Sequence, residues 1–154
     1  FGGKTDYDYL MWIDSDMVFE PEDFFKLIDH DKDIVSGIYK MSDNTNYATV
    51  ETMDEEFFEQ WMRYPFLLQK NIDKKEGKLF TCAYTGMGFM LVKYGVFEKM
   101  KYPYFYPRKQ AWPQYNWEEF VWDDVEFCLR AKEAGFDVWV DPNIRLGHEK
   151  TRIL

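Results

Sequence analysis

The run Tyr9-Leu10-Met11-Trp12-Ile13-Asp14-Ser15-Asp16 constrains the fold more than any other feature of the chain. Five large apolar residues follow one another and stop at acids, the pattern of a strand buried in a sheet whose C-terminal end meets solvent at Asp14. Pro21-Glu22-Asp23 then opens an amphipathic helix that carries Phe24, Phe25, Leu27 and Ile28. Proline is preorganised for a first helical turn, and acids there favour the positive end of the helix. Asp33 to Tyr39 reads as a second strand. A strand–helix–strand order predicts parallel strands under a covering helix, and so an α/β fold.

The rest of the chain alternates in the same way. A polar turn is expected over Asp43 to Asn46, a helix over Asp54 to Met62, and a charged loop over Asn71 to Lys78. Leu79 to Tyr84 and Phe89 to Lys93 read as strands with Gly86 and Gly88 between them. A short helix is expected over Gly95 to Met100 and a long loop rich in proline and aromatics over Tyr102 to Trp117. Asp123 to Ala134 reads as a helix stopped by Gly135, and Phe136 to Val140 as a last strand. No repeat or low-complexity linker interrupts this order, which predicts a single domain over residues 1–154.

The formal net charge is −9, from 19 basic and 28 acidic residues. Such a surface excludes a nucleic-acid partner, whose phosphates need a basic face, and docking on anionic lipid. A diphosphate remains admissible if a metal ion supplies the positive charge. No apolar run is long enough to span a bilayer. Cys82 and Cys128 have neither the number nor the spacing of a disulfide framework or a zinc site, and read as free thiols of a reducing compartment, which places the chain in the cytoplasm. Aromatic residues make up 20% of the chain, as expected of a large aromatic core or of surfaces that stack on sugars.

Four groups of residues carry chemistry. Asp14 and Asp16, two apart at a strand end, can converge on one magnesium or manganese ion, for which carboxylates are hard oxygen ligands. The same spacing also occurs where acids only cap a helix. In Trp122-Asp123-Asp124-Val125-Glu126, Asp123 and Glu126 have the spacing of a capping box. That role leaves Asp124 in the first turn, where a fixed carboxylate can serve as a general base. His148 follows the last strand and can complete a carboxylate metal site; Lys150 and Arg152 beside it can meet phosphate oxygens. Gly86 and Gly88 permit close approach of backbone to a ligand, or simply a tight turn.

Taken in order, these segments resemble the GT-A glycosyltransferases. Residues 9–24 are similar to the family's D-x-D strand and its following proline-acidic helix. Residues 85–92 (Thr-Gly-Met-Gly-Phe-Met-Leu-Val) are similar to its glycine-containing segment, residues 122–135 to its acidic helix, and residues 141–148 (Asp-Pro-Asn-Ile-Arg-Leu-Gly-His) to its segment with a metal-binding histidine. The resemblance implies a GT-A-like, Rossmann-like mixed sheet flanked by helices, and metal-dependent, inverting transfer of a sugar from a nucleotide-diphosphate donor to a carbohydrate or other hydroxyl acceptor. It implies Mn2+ or Mg2+ on Asp14, Asp16 and His148. Asp14, Gly86, Gly88, Lys150 and Arg152 would meet the donor. Asp124 would be the base; because the family often has Glu at the position of Asp123, the role alternates between Asp123 and Asp124. Trp112, Trp117 and Tyr106 of the aromatic loop would stack on the acceptor. The D-x-D strand begins at Tyr9, so the resemblance also implies an N-terminally truncated version without the strands that bind the base, and an exposed sheet edge open to a second copy. Two other readings fit the D-x-D: a fragment that binds metal or sugar nucleotide without catalysis, and a phosphatase of the haloacid dehalogenase type with Asp14 as nucleophile.

Overall fold

The computed structural model describes residues 6–149. Along the chain lie β1 (Tyr9–Ile13), β2 (Met17–Val18), α1 (Pro21–Asp29), β3 (Ile34–Ile38), β4 (Thr49–Val50), α2 (Glu55–Trp61) and α3 (Gln69–Asp73). There follow β5 (Phe80–Cys82), β6 (Tyr84–Thr85), β7 (Phe89–Lys93), α4 (Val96–Lys99), β8 (Lys109–Trp112), a 3-10 turn (Pro113–Tyr115), β9 (Trp117–Phe120), α5 (Asp123–Glu133), β10 (Val138–Arg145) and β11 (Gly147–His148).

A mixed five-stranded sheet, ordered β1-β7-β3-β10-β5, forms the centre of this α/β fold. β1, β3 and β10 run one way; β7 and β5 run against them. Side chains alternate between the two faces. Ile34, Met90, Val92, Val138 and Val140 join Phe127 and Ala131 of α5 in one core. Val35, Phe89 and Leu91 join Leu27 of α1 in the other. With helices on both faces, β3 is buried at every position, which is why its sequence shows no polar alternation.

β1 and β3 run parallel as the strand–helix–strand order predicts, but they are not neighbours. β7 enters between them, antiparallel to both, and α1 packs over β3 and β10. The segment expected as a charged loop holds α3, whose start is capped where the Asn71 side chain accepts the Leu68 N–H at 2.9 Å. Leu79 to Tyr84 is not one strand but two in different sheets: β5 pairs with β10, and β6 with β4. The expected aromatic loop closes into the β8–β9 hairpin, where cross-strand partners Trp112 and Trp117 stack at 4.8 Å. The last strand runs on past Val140 to Arg145. Its register slips there around Pro142, which has no N–H to give to a ladder.

The start of α5 also departs from the expected capping box. Trp122 occupies the N-cap, so Asp123 and Asp124 are the first two helical residues. Glu126 does not reach back to the cap. It is fully buried, and its Oε1 accepts from Arg108 Nε at 3.1 Å and Arg130 Nε at 2.6 Å. Arg108 also bonds Glu133 at 2.9 Å through both terminal nitrogens, which ties the segment before β8 to α5. Removing one member of a buried ion cluster leaves its partners uncompensated, at a cost of about 3–5 kcal/mol. Glu126→Ala is therefore expected to lower the chemical denaturation midpoint by that equivalent and to expose the segment between Lys101 and Arg108 to limited proteolysis.

Candidate functional site

The acids after β1 are placed by a chain of backbone bonds. The Asp14 N–H donates to Gly88 O at 3.0 Å, and the Met17 N–H returns to Asp14 O at 3.1 Å, so residues 14–17 form a turn above the sheet. β2 leaves this turn and pairs with β11, with His148 opposite Met17 and Gly147 opposite Val18. A Cβ on Gly147 would lie 2.9 Å from that of Val18, so glycine lets the two strands close. The pairing carries His148 to Asp16 across 132 positions of sequence: His148 Nε2 lies 3.1 Å from Asp16 Oδ2. The Glu149 N–H bonds Asp16 O at 2.8 Å and locks the arrangement.

The other imidazole nitrogen fixes the tautomer. His148 Nδ1 lies 2.9 Å from Lys40 O, which can only accept, so Nδ1 carries the proton. Nε2 then faces the Asp16 carboxylate, where a metal ion could bridge the two. A histidine whose far N–H is held by a backbone carbonyl is the usual support of a metal ligand. Two ligands on one six-coordinate ion of this class lie about 3 Å apart, so the pair fits Mg2+ or Mn2+. Among the described residues, no group of three or more His, Cys, Asp or Glu side chains converges on one point, so the close pair here is Asp16 and His148. Asp14, expected as a third ligand, is exposed and does not join them in such a group.

Tyr39 sits where these parts meet, outside the four groups of residues expected to carry chemistry. Its hydroxyl oxygen accepts the Gly88 N–H at 3.1 Å, and its ring meets that of His148 edge-on at 5.2 Å between centroids. Burial pushes its hydroxyl up to about 12; the Gly88 N–H opposes this, and the negative charges of Asp124, Asp14 and Asp16 add to it. The charges of all three carboxylates therefore reach this one phenol. Gly86 and Gly88 serve that ring. A Cβ on Gly86 would fall 2.1 Å from the Tyr39 oxygen, and one on Gly88 3.0 Å from it. Both glycines are buried against Tyr39 instead of bordering an open pocket. The available signal was the pair of glycines one strand away from an aromatic at the end of β3.

Asp124 is half-buried at the start of α5, and its Oδ1 accepts the Val125 N–H at 2.7 Å; Asp123 is exposed and accepts the Asp124 N–H at 3.1 Å. Burial raises the Asp124 carboxyl above its ordinary 3.8, opposed by the Val125 N–H and helped by the charges of Asp123 and Asp14.

Two cavities flank this centre. One, about 490 Å³, is walled by Lys40, Ser42, Asn44, Tyr47, Arg145 and His148 among others. It brings two basic side chains to the histidine, whereas Lys150 and Arg152 lie outside the described residues. The other, about 430 Å³, holds Trp112 and Trp117 on its wall, stacked with Phe58. Tyr106 is 53% exposed and does not line it.

No protein family matches the chain, and no curated protein matches it. The fold is similar to that in the crystal structure of A197 from STIV, with a TM-score of 0.53 at 17% identity over 96% of this chain and 69% of that one. At that identity the likeness is one of fold. Among the described residues, no helix is long and apolar enough to cross a membrane.

The raised carboxyl gives a prediction of definite sign. The folded chain holds the Asp124 proton more tightly than the unfolded chain, so ionisation of Asp124 costs stability. That cost is absent below the unfolded value and complete above the raised folded one. Asp124→Asn is therefore expected to unfold at a higher temperature than wild type at pH 7, with the difference closing as pH falls through the carboxylate range.

Proposed function

We propose that this chain carries the metal-binding and acceptor-binding part of a GT-A-type glycosyltransferase, which moves a sugar from a nucleotide-diphosphate donor to an acceptor hydroxyl with inversion. The observation that carries the reading is the meeting of Asp16 and His148 at 3.1 Å, with the histidine's other nitrogen held on Lys40 O. Asp16 and His148 would hold Mn2+ or Mg2+. When bound, such an ion supplies Lewis-acid neutralisation of a leaving diphosphate.

The chain's own residues do the rest. Lys40 and Arg145, on the cavity beside His148, meet phosphate oxygens. Gly86 and Gly88 would act on the donor through Tyr39, for whose ring they leave room. Asp124 is the base. Its Oδ1 is tied to the Val125 N–H, which orients the carboxylate, and its other oxygen takes the acceptor proton. Raised proton affinity brings that carboxyl closer to the pH at which it works, which improves a general base. Asp123 is its exposed neighbour and keeps Asp124 in the first helical turn by accepting that residue's N–H.

The test is thermal unfolding with Mn2+ and a panel of nucleoside diphosphates. At about 100 times the dissociation constant, a native-state ligand adds about 2.7 kcal/mol. For a domain of this size that equals a rise of roughly 5–10 °C in Tm. One nucleotide is expected to give this shift only with Mn2+, and Asp16→Ala is expected to lose it. A wild-type chain that shows no shift with any nucleotide, or an Asp16→Ala variant that keeps it, refutes the donor site.

A further inference from the structure

We infer that the cavity between α2, the β8–β9 hairpin and the start of α5 receives the acceptor, and that this acceptor is an alcohol with an apolar body (an aromatic ring or alkyl chain) and not a free sugar. The inference rests on the transferase reading and adds the acceptor's chemical class.

The two cavities beside the catalytic centre differ in chemistry. The cavity at His148 offers Lys40, Ser42, Asn44 and Arg145, groups that bond a charged or hydroxyl-rich ligand. The second is walled by Phe58, Tyr64, Tyr84, Trp112, Trp117 and Val125, with Arg63, Gln110 and Glu119 as its charged and amide side chains. Its volume of about 430 Å³ suits a ligand of one or two rings. A free sugar would bury several hydroxyls against that wall, and each unmatched hydroxyl opposes binding. An apolar body gains from the same surface, and aromatic walls add ring contacts.

Position ties this cavity to the reaction. Trp122 and Val125, which flank the two aspartates at the start of α5, both lie on its wall. The charge of Asp124 also reaches Tyr84 on the opposite wall, where it adds to burial in holding the Tyr84 proton. The cavity thus reaches the start of α5 at the residues on either side of the two aspartates, which do not themselves line it. The cavity opens between Phe120 and Trp122, which line it while remaining 62% and 75% exposed. Large apolar side chains left in solvent at a cavity mouth are a mark of a ligand site.

The test measures 2-naphthol binding by quenching of the tryptophan emission, since Trp112, Trp117 and Trp122 all line the cavity. Glucose, galactose and mannose serve as comparators, and Phe120→Ser as the variant; Phe120 is exposed, so its replacement leaves the core intact. The manganese–nucleotide shift is measured on the same samples. The expected result is a 2-naphthol Kd at least tenfold below that of each sugar, weakened at least fivefold in Phe120→Ser, with the manganese–nucleotide shift retained in the variant. Naphthol that binds no better than the sugars, or equally well to Phe120→Ser, overturns the inference and leaves the transferase reading standing. Naphthol binding that depends on Phe120 in a wild-type chain with no manganese–nucleotide shift does the reverse: it supports the apolar site and removes the transferase reading.

Discussion

β7 lies between β1 and β3, antiparallel to both, and the geometry of the site follows from that insertion. An antiparallel strand starts where its neighbours end. The residues that precede β7, Gly86 to Gly88, therefore come to the same edge of the sheet as Asp14 after β1 and Tyr39 after β3. The bond from the Asp14 N–H to Gly88 O and that from the Gly88 N–H to the Tyr39 oxygen are consequences of this placement. Buried backbone groups must find partners, so the turn that bears the acids is held by the strand beside it and has little freedom to move. The glycines owe their identity to the same insertion, because any larger residue there would collide with Tyr39.

A second tension is electrostatic. In a chain of net charge −9, the charges of Asp124, Asp14 and Asp16 all act on one buried phenol. Burial, with the like charges of Asp123 and Asp14 added, favours the proton-bound form, as the raised Asp124 carboxyl reflects. Such crowding opposes folding, and a cation bound among the acids would relieve it. Inside the fold the same need is met differently at Glu126, whose buried charge is shared by Arg108 and Arg130. Its Oε2 has no bonding partner among the described residues. That internal ion cluster ties α5 to the chain before β8.

Much of the local structure was legible in the chain. β1, α1, β7 and α5 lie where apolar runs, a leading proline and helix-stop glycine place them, because these signals act over a few residues. α3 was hidden by its charged composition, since the cap supplied by Asn71 is a single side-chain bond with no pattern around it. The β8–β9 hairpin was hidden because its strands are stabilised by contacts among Phe58, Trp112 and Trp117 that join distant parts of the chain. The box proposed for Asp123 and Glu126 failed because burial against two arginines outweighs a cap that solvent can replace.

The sequence by itself determined which groups were available to a site: an acid pair after an apolar strand, acids at a helix start, a histidine after the last strand. Those are composition and spacing, and they survive any arrangement of the strands. Only the tertiary structure decided which of them meet. It set His148 against Asp16 through a two-stranded pairing over 132 positions, put Tyr39 between Gly88 and His148, and separated a basic cavity from an apolar one. The reason is that strand order and register depend on hydrogen bonds between segments far apart in the chain, and no local pattern specifies which strand will be the neighbour of which.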